Sequence, residues 1–451
     1  MTKLWFSVGA LALLGGCGAG GPDSEQASNI PPVAGQPAPA PVPNPPAPSP
    51  SPSPAPAPGP APAPGVTATY YFSDCQAGAA AGCQQGNNAN PGTQSAPKQT
   101  LAGINVDTLG VGSRLLFARG GAWSNFTLSL ENPHATPANP LVIDAYGSGA
   151  SPLFRTASAN TFQLGGRWGN TSNDGGYTIR NVRLDGMGTA DRGLWLVQNV
   201  RGITLENVDI ENYRFGIESS NGSPHRVTGL TIRNSRISNN RSMGILGSYS
   251  DSLIENSTFE GNNNVTGSTG NHAIYFSHGD RVTIRNNTFN ENSVVAGRCI
   301  GGNVTVHGVV DGLLIEGNTI RQVASAISCY GFAITAGYTT AESFRNVVVR
   351  GNTIINVGMT SIAANASPGI VVESNKIINT QAAGQYGIWI PANGGADSGD
   401  AADGTPIVRN NTICFAQAQG SVAVSANVQG AQLSNNTFLT GADASSGVCQ
   451  L

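Results

Sequence analysis

Between positions 272 and 307 the chain carries three of its five histidines, His272, His278 and His307, together with Tyr275 and Arg298. These residue types have complementary chemistry. An imidazole titrates near neutrality and can take a proton, a phenol can supply one, and a guanidinium can neutralise a bound or developing anion. Removing a proton from a carbon beside a carboxylate while an oxygen leaves the neighbouring carbon needs all three roles at once. His272, His278 or His307 is the candidate base. Tyr275 is the candidate acid or a shared acid and base, and Arg298, helped by Asn303, is the candidate partner for the carboxylate. A structural reading stands beside this one, because histidines at strand ends also bond turn backbone and a tyrosine can simply shield a strand edge.

What must position these groups is a repeat. Versions of Val282-Thr283-Ile284-Arg285-Asn286-Asn287-Thr288-Phe289 recur from about residue 177 to residue 439, with final apolar residues at 184, 210, 237, 259, 289, 320, 354, 377, 413 and 438. Successive copies are 22 to 36 residues apart. Units of that length, β-rich and punctuated by Asn and Gly, describe a solenoid whose coils bury their apolar faces only by stacking. The expected fold is all-β, a right-handed parallel β-helix of about ten or more coils with an N-terminal cap.

Two columns test the register. The residue after the central aliphatic reads Arg180, Glu206, Arg233, Glu255, Arg285, Glu316, Arg350, Glu373, Arg409 and then Ser434. Parallel strands lie about 4.8 Å apart, so this strict alternation predicts an outward ladder of opposite charges between neighbouring coils. The second column, Asn287, Asn318, Asn352, Asn375, Asn411 and Asn436, has the side chains for an asparagine ladder at a bend, with Val182, Val208, Ser235 and Ser257 at the same place in earlier copies.

Each coil carries a second strand whose outward column is expected to read Trp195, Glu218, Leu246, Tyr275, Gly301, Ser328, Ala363 and Trp389. This places His272 beside Arg298 and Tyr275 beside Gly301. Trp195 and Trp389 could stack on sugar rings, and Glu218, Arg241 and Tyr249 approach the cluster from the two preceding coils. Trp195, Glu218, Arg241, Tyr249, Asn303 and Trp389 are therefore the candidate ligand-binding residues.

Residues 1–17 hold a single Lys3, an apolar run and Leu14-Gly15-Gly16-Cys17, which resembles a bacterial lipoprotein signal. The resemblance implies cleavage before Cys17, lipidation of that cysteine and, with Gly18 following it, an outer-membrane lipoprotein facing the periplasm or the cell surface. Residues 18–65 read as a disordered tether. Between Pro31 and Gly65 there are 17 prolines in 35 residues, a polyproline spacer with a reach on the order of 100 Å. Six of the seven cysteines follow Cys17. In an exported protein they are expected in disulfides, and nearness favours Cys75 with Cys83, Cys299 with Cys329, and Cys414 with Cys449. Their spacings do not make a zinc site, and no metal ligands are identified. A net charge of −3 with 11% charged residues favours neither nucleic acid nor an anionic membrane surface as partner.

Residues 66–176 are expected to form the cap and first coils, ahead of repeats over 177–451. They contain Thr69-Tyr70-Tyr71-Phe72, Gly86-Asn87-Asn88-Ala89-Asn90-Pro91-Gly92, Pro97-Lys98-Gln99-Thr100-Leu101 and Gly120-Gly121-Ala122-Trp123. This series resembles the entry segment of secreted β-helix proteins that include alginate lyase-like and chondroitinase-like enzymes, with Asn88 and Ser113 where those carry Asp. The resemblance implies an acidic polysaccharide as partner, β-elimination as the reaction, and calcium as the one cofactor to consider. Such enzymes use a Lys/Arg pair, whereas the only lysines here are Lys3, Lys98 and Lys376. A non-catalytic polysaccharide binder or adhesin would use the aromatic column alone. A glycoside hydrolase would need two carboxylates, for which Glu218 with Asp191, Asp251 or Asp280 is the available set. A single-chain protein is expected.

Overall fold

The computed structural model describes residues 65–451 other than 158, 167–173, 220–225, 266–270, 323–328, 382–385, 392–398, 418–420, 446 and 451. The expected signal segment with Cys17, nearly all of the expected tether, and Ser328 lie outside the described residues. The described residues form a parallel β-helix with three strands per coil, which stack into three faces. One face is a 12-stranded sheet running from Ala122–Trp123 to Thr437–Thr440.

The repeat places an inward aliphatic or aromatic residue on each face, and stacking turns these into columns. On the face that carries the charge ladder, Ile179, Leu205, Ile232, Ile254, Ile284, Ile315, Val349, Val372 and Val408 align one above the next. On the 12-stranded face Leu184, Ile210, Ile237, Phe259, Phe289, Ile320, Ile354, Ile377 and Ile413 do the same. All of these are at most 2% exposed, and each such side chain contributes about 1.5–3 kcal/mol by leaving water.

The charge ladder forms as the alternation predicts. Arg233 meets Glu206 at 3.1 Å, Arg285 meets Glu255 at 2.7 Å, Arg350 meets Glu316 at 2.6 Å and Arg409 meets Glu373 at 2.7 Å. Arg180, the first of the series, reaches back to Asp144 at 2.8 Å. These pairs are partly exposed, so they specify register more than they stabilise.

The asparagine ladder is buried and continuous. Asn287, Asn318, Asn352, Asn375 and Asn411 each donate from Nδ2 to the Oδ1 of the next member, ending on Asn436, at 2.8–3.0 Å. Ser235 and Ser257 extend it towards the N-terminus, their hydroxyls accepting from the backbone N–H of Val208 and Ser235. The left-handed backbone belongs to the residue before each ladder member. Asn286, Asn410 and Asn435 have φ of 53–56°, and glycine takes that place at Gly317 and Gly351. A second, shorter ladder, Asn240 to Asn262 to Asn292, fills the bend after the 12-stranded face.

The three disulfides are Cys75–Cys83, Cys299–Cys329 and Cys414–Cys449, as nearness favoured. At the N-terminal end Thr69–Phe72 pairs with Arg114–Ala118. Its outer edge is taken by residues 92–98, where Tyr71 donates to the Gly92 carbonyl and accepts from Lys98 N–H.

Candidate functional site

The remaining face carries the candidate site. Its inward column is Leu194, Ile217, Ile245, Ile274, Val304, Phe332, Ile362 and Ile388, so the residue after each faces outward. The outward column reads Trp195, Glu218, Leu246, Tyr275, Thr305, Ala333, Ala363 and Trp389. Thr305 takes the place expected of Gly301, and Ala333 the place expected of Ser328, which lies outside the described residues. Residues 294–299 make a small antiparallel turn in which Val295 faces Arg298 and Val294 faces Cys299, so the next coil resumes at Gly302 rather than at Cys299. Tyr275 therefore stacks beside Thr305, and His272 beside Gly302.

That excursion separates Arg298 from the cluster. It is exposed on the turn and is not the neighbour of His272. Asn303 is fully buried, with its Nδ2 donating to the Tyr330 carbonyl inside the bend, so it cannot meet a surface ligand. Tyr249 is 2% exposed and gives its hydroxyl proton to the Leu246 carbonyl. Arg241 is used structurally, donating to the carbonyls of Thr189 and Ala190 on an earlier coil. Glu218 is ion-paired with Arg192, whose guanidinium lies 5.1 Å from the Trp195 ring centre. Trp389 packs on Tyr386 at 6.0 Å between ring centres.

The structure does bring together His272, Tyr275 and His307, and adds Tyr338, Glu342 and Thr305. The rings form a continuous run: His272 stacks on Tyr275 at 5.6 Å, Tyr275 lies 5.5 Å from His307, and His307 stacks on Tyr338 at 4.9 Å. The Tyr275 and Tyr338 hydroxyls share a hydrogen bond, and His272 Nδ1 is 2.9 Å from Thr305 Oγ1. His278 stands apart, its ring lying against Gly308 and its Nδ1 buried without a hydrogen bond.

Glu342 anchors the far end. Its side chain is fully buried, and its carboxylate accepts from the backbone N–H groups of Gly308, Gly337 and Tyr338. His307 Nδ1 lies 3.5 Å from Glu342 Oε1, within ion-pair distance but without a hydrogen bond, and Nε2 is the nitrogen not facing the carboxylate. Burial acts to raise the Glu342 pKa, but His307 and the three backbone donors outweigh it and hold the group below its ordinary range. The Tyr275 phenol is pushed well up, first by burial, then by its bond to Tyr338 and the negative charge of Glu342. It is therefore a proton donor at neutral pH rather than a phenolate base.

Thr305, Tyr338 and Glu342 escaped the sequence reading. A signal for Thr305 existed: Ile274 precedes its ladder residue Ile284 by ten positions and Val304 precedes Ile315 by eleven, whereas Ile300 is fifteen away. Tyr338 and Glu342 lie in a corner loop outside the repeat, where no periodicity marks them.

A cleft of about 580 Å³ lies elsewhere, at the bend between the ladder face and the 12-stranded face, with Arg183, Asp209 and Arg236 in its lining. Its charges satisfy one another: Arg236 reaches Asp209 at 3.4 Å and Glu260 at 3.1 Å. It contains none of the ring stack. Among the described residues, no group of three or more His, Cys, Asp and Glu side chains could hold a metal ion.

The family model described as "Right handed beta helix region" matches residues 169–339 and 302–448. No curated protein matches the chain. Similar solved structures include a GH136 lacto-N-biosidase from Eubacterium ramulus, at 14% identity over 77% of this chain and 68% of that one, with a TM-score of 0.49. The A-module of the mannuronan C-5 epimerase AlgE4 from Azotobacter vinelandii is 15% identical over 73% of this chain and 87% of its own, with a TM-score of 0.48. An alginate lyase from Paenibacillus sp. is 13% identical over 82% and 99%, with a TM-score of 0.37. At such identities no chemistry transfers to this chain.

Proposed function

The chain belongs to the right-handed β-helix family, and on that scaffold we propose that it is a carbohydrate-active protein cleaving an acidic polysaccharide by β-elimination. The observation that carries the reading is the ring run in which a protonated Tyr275 lies between His272 and His307, with His307 held against the Glu342 carboxylate. His307 Nε2 takes the proton from C5 of the uronate. The electron pair forms the C4–C5 double bond, the C4–O4 glycosidic bond breaks, and Tyr275 gives its proton to the departing oxygen. His272, fixed through Thr305, packs the other side of the phenol. The stack itself supplies no cation for the substrate carboxylate, and Arg298 stands outside it.

A second reading is favoured by the Arg192–Trp195 and Tyr386–Trp389 pairs on the same face, which would grip sugar rings without chemistry. Incubation of the full chain with alginate, pectate, hyaluronan and chondroitin, followed by ultraviolet absorbance of the unsaturated uronate product, separates the two. A rise that Tyr275→Phe and His307→Ala abolish supports elimination. No rise on any polymer, with retention on a polysaccharide gel that Trp195→Ala weakens, supports binding alone.

We also propose that Cys17 is lipidated and that the protein is anchored to the outer membrane, a reading supported by Leu14-Gly15-Gly16-Cys17 and the proline-rich stretch that follows. Cys17→Ser should then release the protein from the membrane fraction.

A further inference from the structure

The two ends of the solenoid are finished differently. At the N-terminal end, residues 92–98 bond the outer edge of Thr69–Phe72, and Phe72 is fully buried. The last coil has Val422–Ala426, Gln432–Ser434 and Thr437–Thr440, each paired among the described residues on one side only, with Tyr386–Ile390, Ile407–Arg409 and Thr412–Phe415. Leu433 and Phe438 occupy the inward columns of Val408 and Ile413, both fully buried, yet are themselves 51% and 38% exposed. Among the described residues that follow, none pairs with these strand edges. Those residues return along the outer side of the 12-stranded face, where Cys449 bonds Cys414 and packs with Ile378.

An open strand edge is a template for pairing, and proteins usually blunt one with charge. Here no charged residue occurs between Arg409 and Asp443, and the alternating ladder stops at neutral Ser434. Head-to-tail stacking would have to displace residues 92–98 from the outer edge of Thr69–Phe72. Two copies meeting tail to tail across a two-fold axis bring identical edges together running antiparallel, cover Leu433 and Phe438 on both, and place no like charges opposite one another. We propose that the C-terminal coil is the docking surface for a second copy of this chain, giving a two-fold dimer in place of the single chain expected from the sequence.

Light scattering of the detergent-solubilised full chain tests this. A protein mass of two chains is the expected result, and Ser434→Lys, which sets two lysines near each other without touching the core, should weaken the dimer by about tenfold or more. Leu433→Lys should act the same way, and circular dichroism of both variants confirms that the β-helix is intact. A mass of one chain at every concentration, a dimer indifferent to both folded variants, or a different protein bound at this end would each overturn the proposal.

Discussion

Glu342→Gln tests whether the buried carboxylate organises the corner that holds His307. The two oxygens divide the work: Oε1 accepts from Gly308 N–H, while Oε2 accepts from Gly337 and Tyr338 N–H. A glutamine can satisfy only one side. With its oxygen turned to Gly337 and Tyr338, its NH₂ faces the Gly308 N–H, donor against donor. Losing a charge-assisted bond removes about 1.5–3 kcal/mol, and stranding a buried N–H costs about 1–3 kcal/mol more. The expected destabilisation is about 3–5 kcal/mol, the range found when a buried charge loses its partner. In a chain of this size that corresponds to a drop of roughly 4–6 °C in unfolding temperature, followed by circular dichroism at a fixed scan rate. The pH dependence has a definite sign. Because the folded pKa lies below the ordinary value of 4.5, the carboxylate's contribution is complete above that pH and is lost as pH falls through the folded value. The gap between wild type and variant should therefore be widest at neutral pH and narrow in acid. Equal unfolding temperatures at neutral pH, or a gap unchanged in acid, would refute the reasoning.

Three further outcomes are expected. Gly337→Ala sets a Cβ 2.9 Å from His307 Cε1 at a position without left-handed backbone, so the ring should leave Glu342; the imidazole resonances should shift in NMR while the unfolding temperature stays within about 2 °C. Asn352→Ala removes three bonds donated by Nδ2, to the Ile315 and Arg350 carbonyls and Asn375 Oδ1, and two accepted from Asn318, which should cost about 4 kcal/mol in chemical unfolding. Asp174, raised to about 6 chiefly by burial, gives the opposite pH signature to Glu342. Its ionisation is penalised in the fold, so stability is lost as pH rises through that value; Asp174→Asn should unfold at a higher temperature than wild type above pH 6, with the two converging in acid.

The fold was legible because a solenoid writes each contact many times. Arg233, Arg285, Arg350 and Arg409 each find the glutamate one coil away, and the register inferred from their alternation also orders the inward columns and the asparagine ladder. The site was legible only where it kept to the repeat. Tyr275, Trp195 and Trp389 share an outward column because each follows an inward aliphatic residue. Arg298 was misassigned because Arg298-Cys299-Ile300-Gly301 imitates a coil strand, whereas Cys299 is engaged with Val294 in the turn and bonded to Cys329. Glu342 was invisible because what makes it consequential, three backbone donors and an imidazole, comes from the bend within the strand Gly302–Glu316 and from the corner loop of Gly337 and Tyr338, which share no period.

Stacking also explains where a site can exist on such a surface. Coils repeat at about 4.8 Å, so rings at matching positions on successive strands can only lie face to face, as Phe259 and Phe289 do at 5.0 Å. The three clustered histidines each meet a glycine of the following coil. A Cβ at Gly302 would come within 2.9 Å of His272 Nδ1, one at Gly308 within 2.7 Å of His278, and one at Gly337 within 2.9 Å of His307. A large residue is thus accommodated where the next coil is bare, and its ring lies along the helix axis over that bare backbone rather than out into solvent. The same arrangement lets rings from different coils approach one another, which is how Tyr275 and Tyr338, 63 positions apart, come to share a hydrogen bond. A facing glycine makes room for a ring but does not by itself mark the candidate site: His278 faces Gly308 and stands outside the ring run, whereas His272 and His307 belong to it. What brings His272 into the run is its pairing with Gly302 rather than with Arg298, which leaves its ring free to lie against Tyr275.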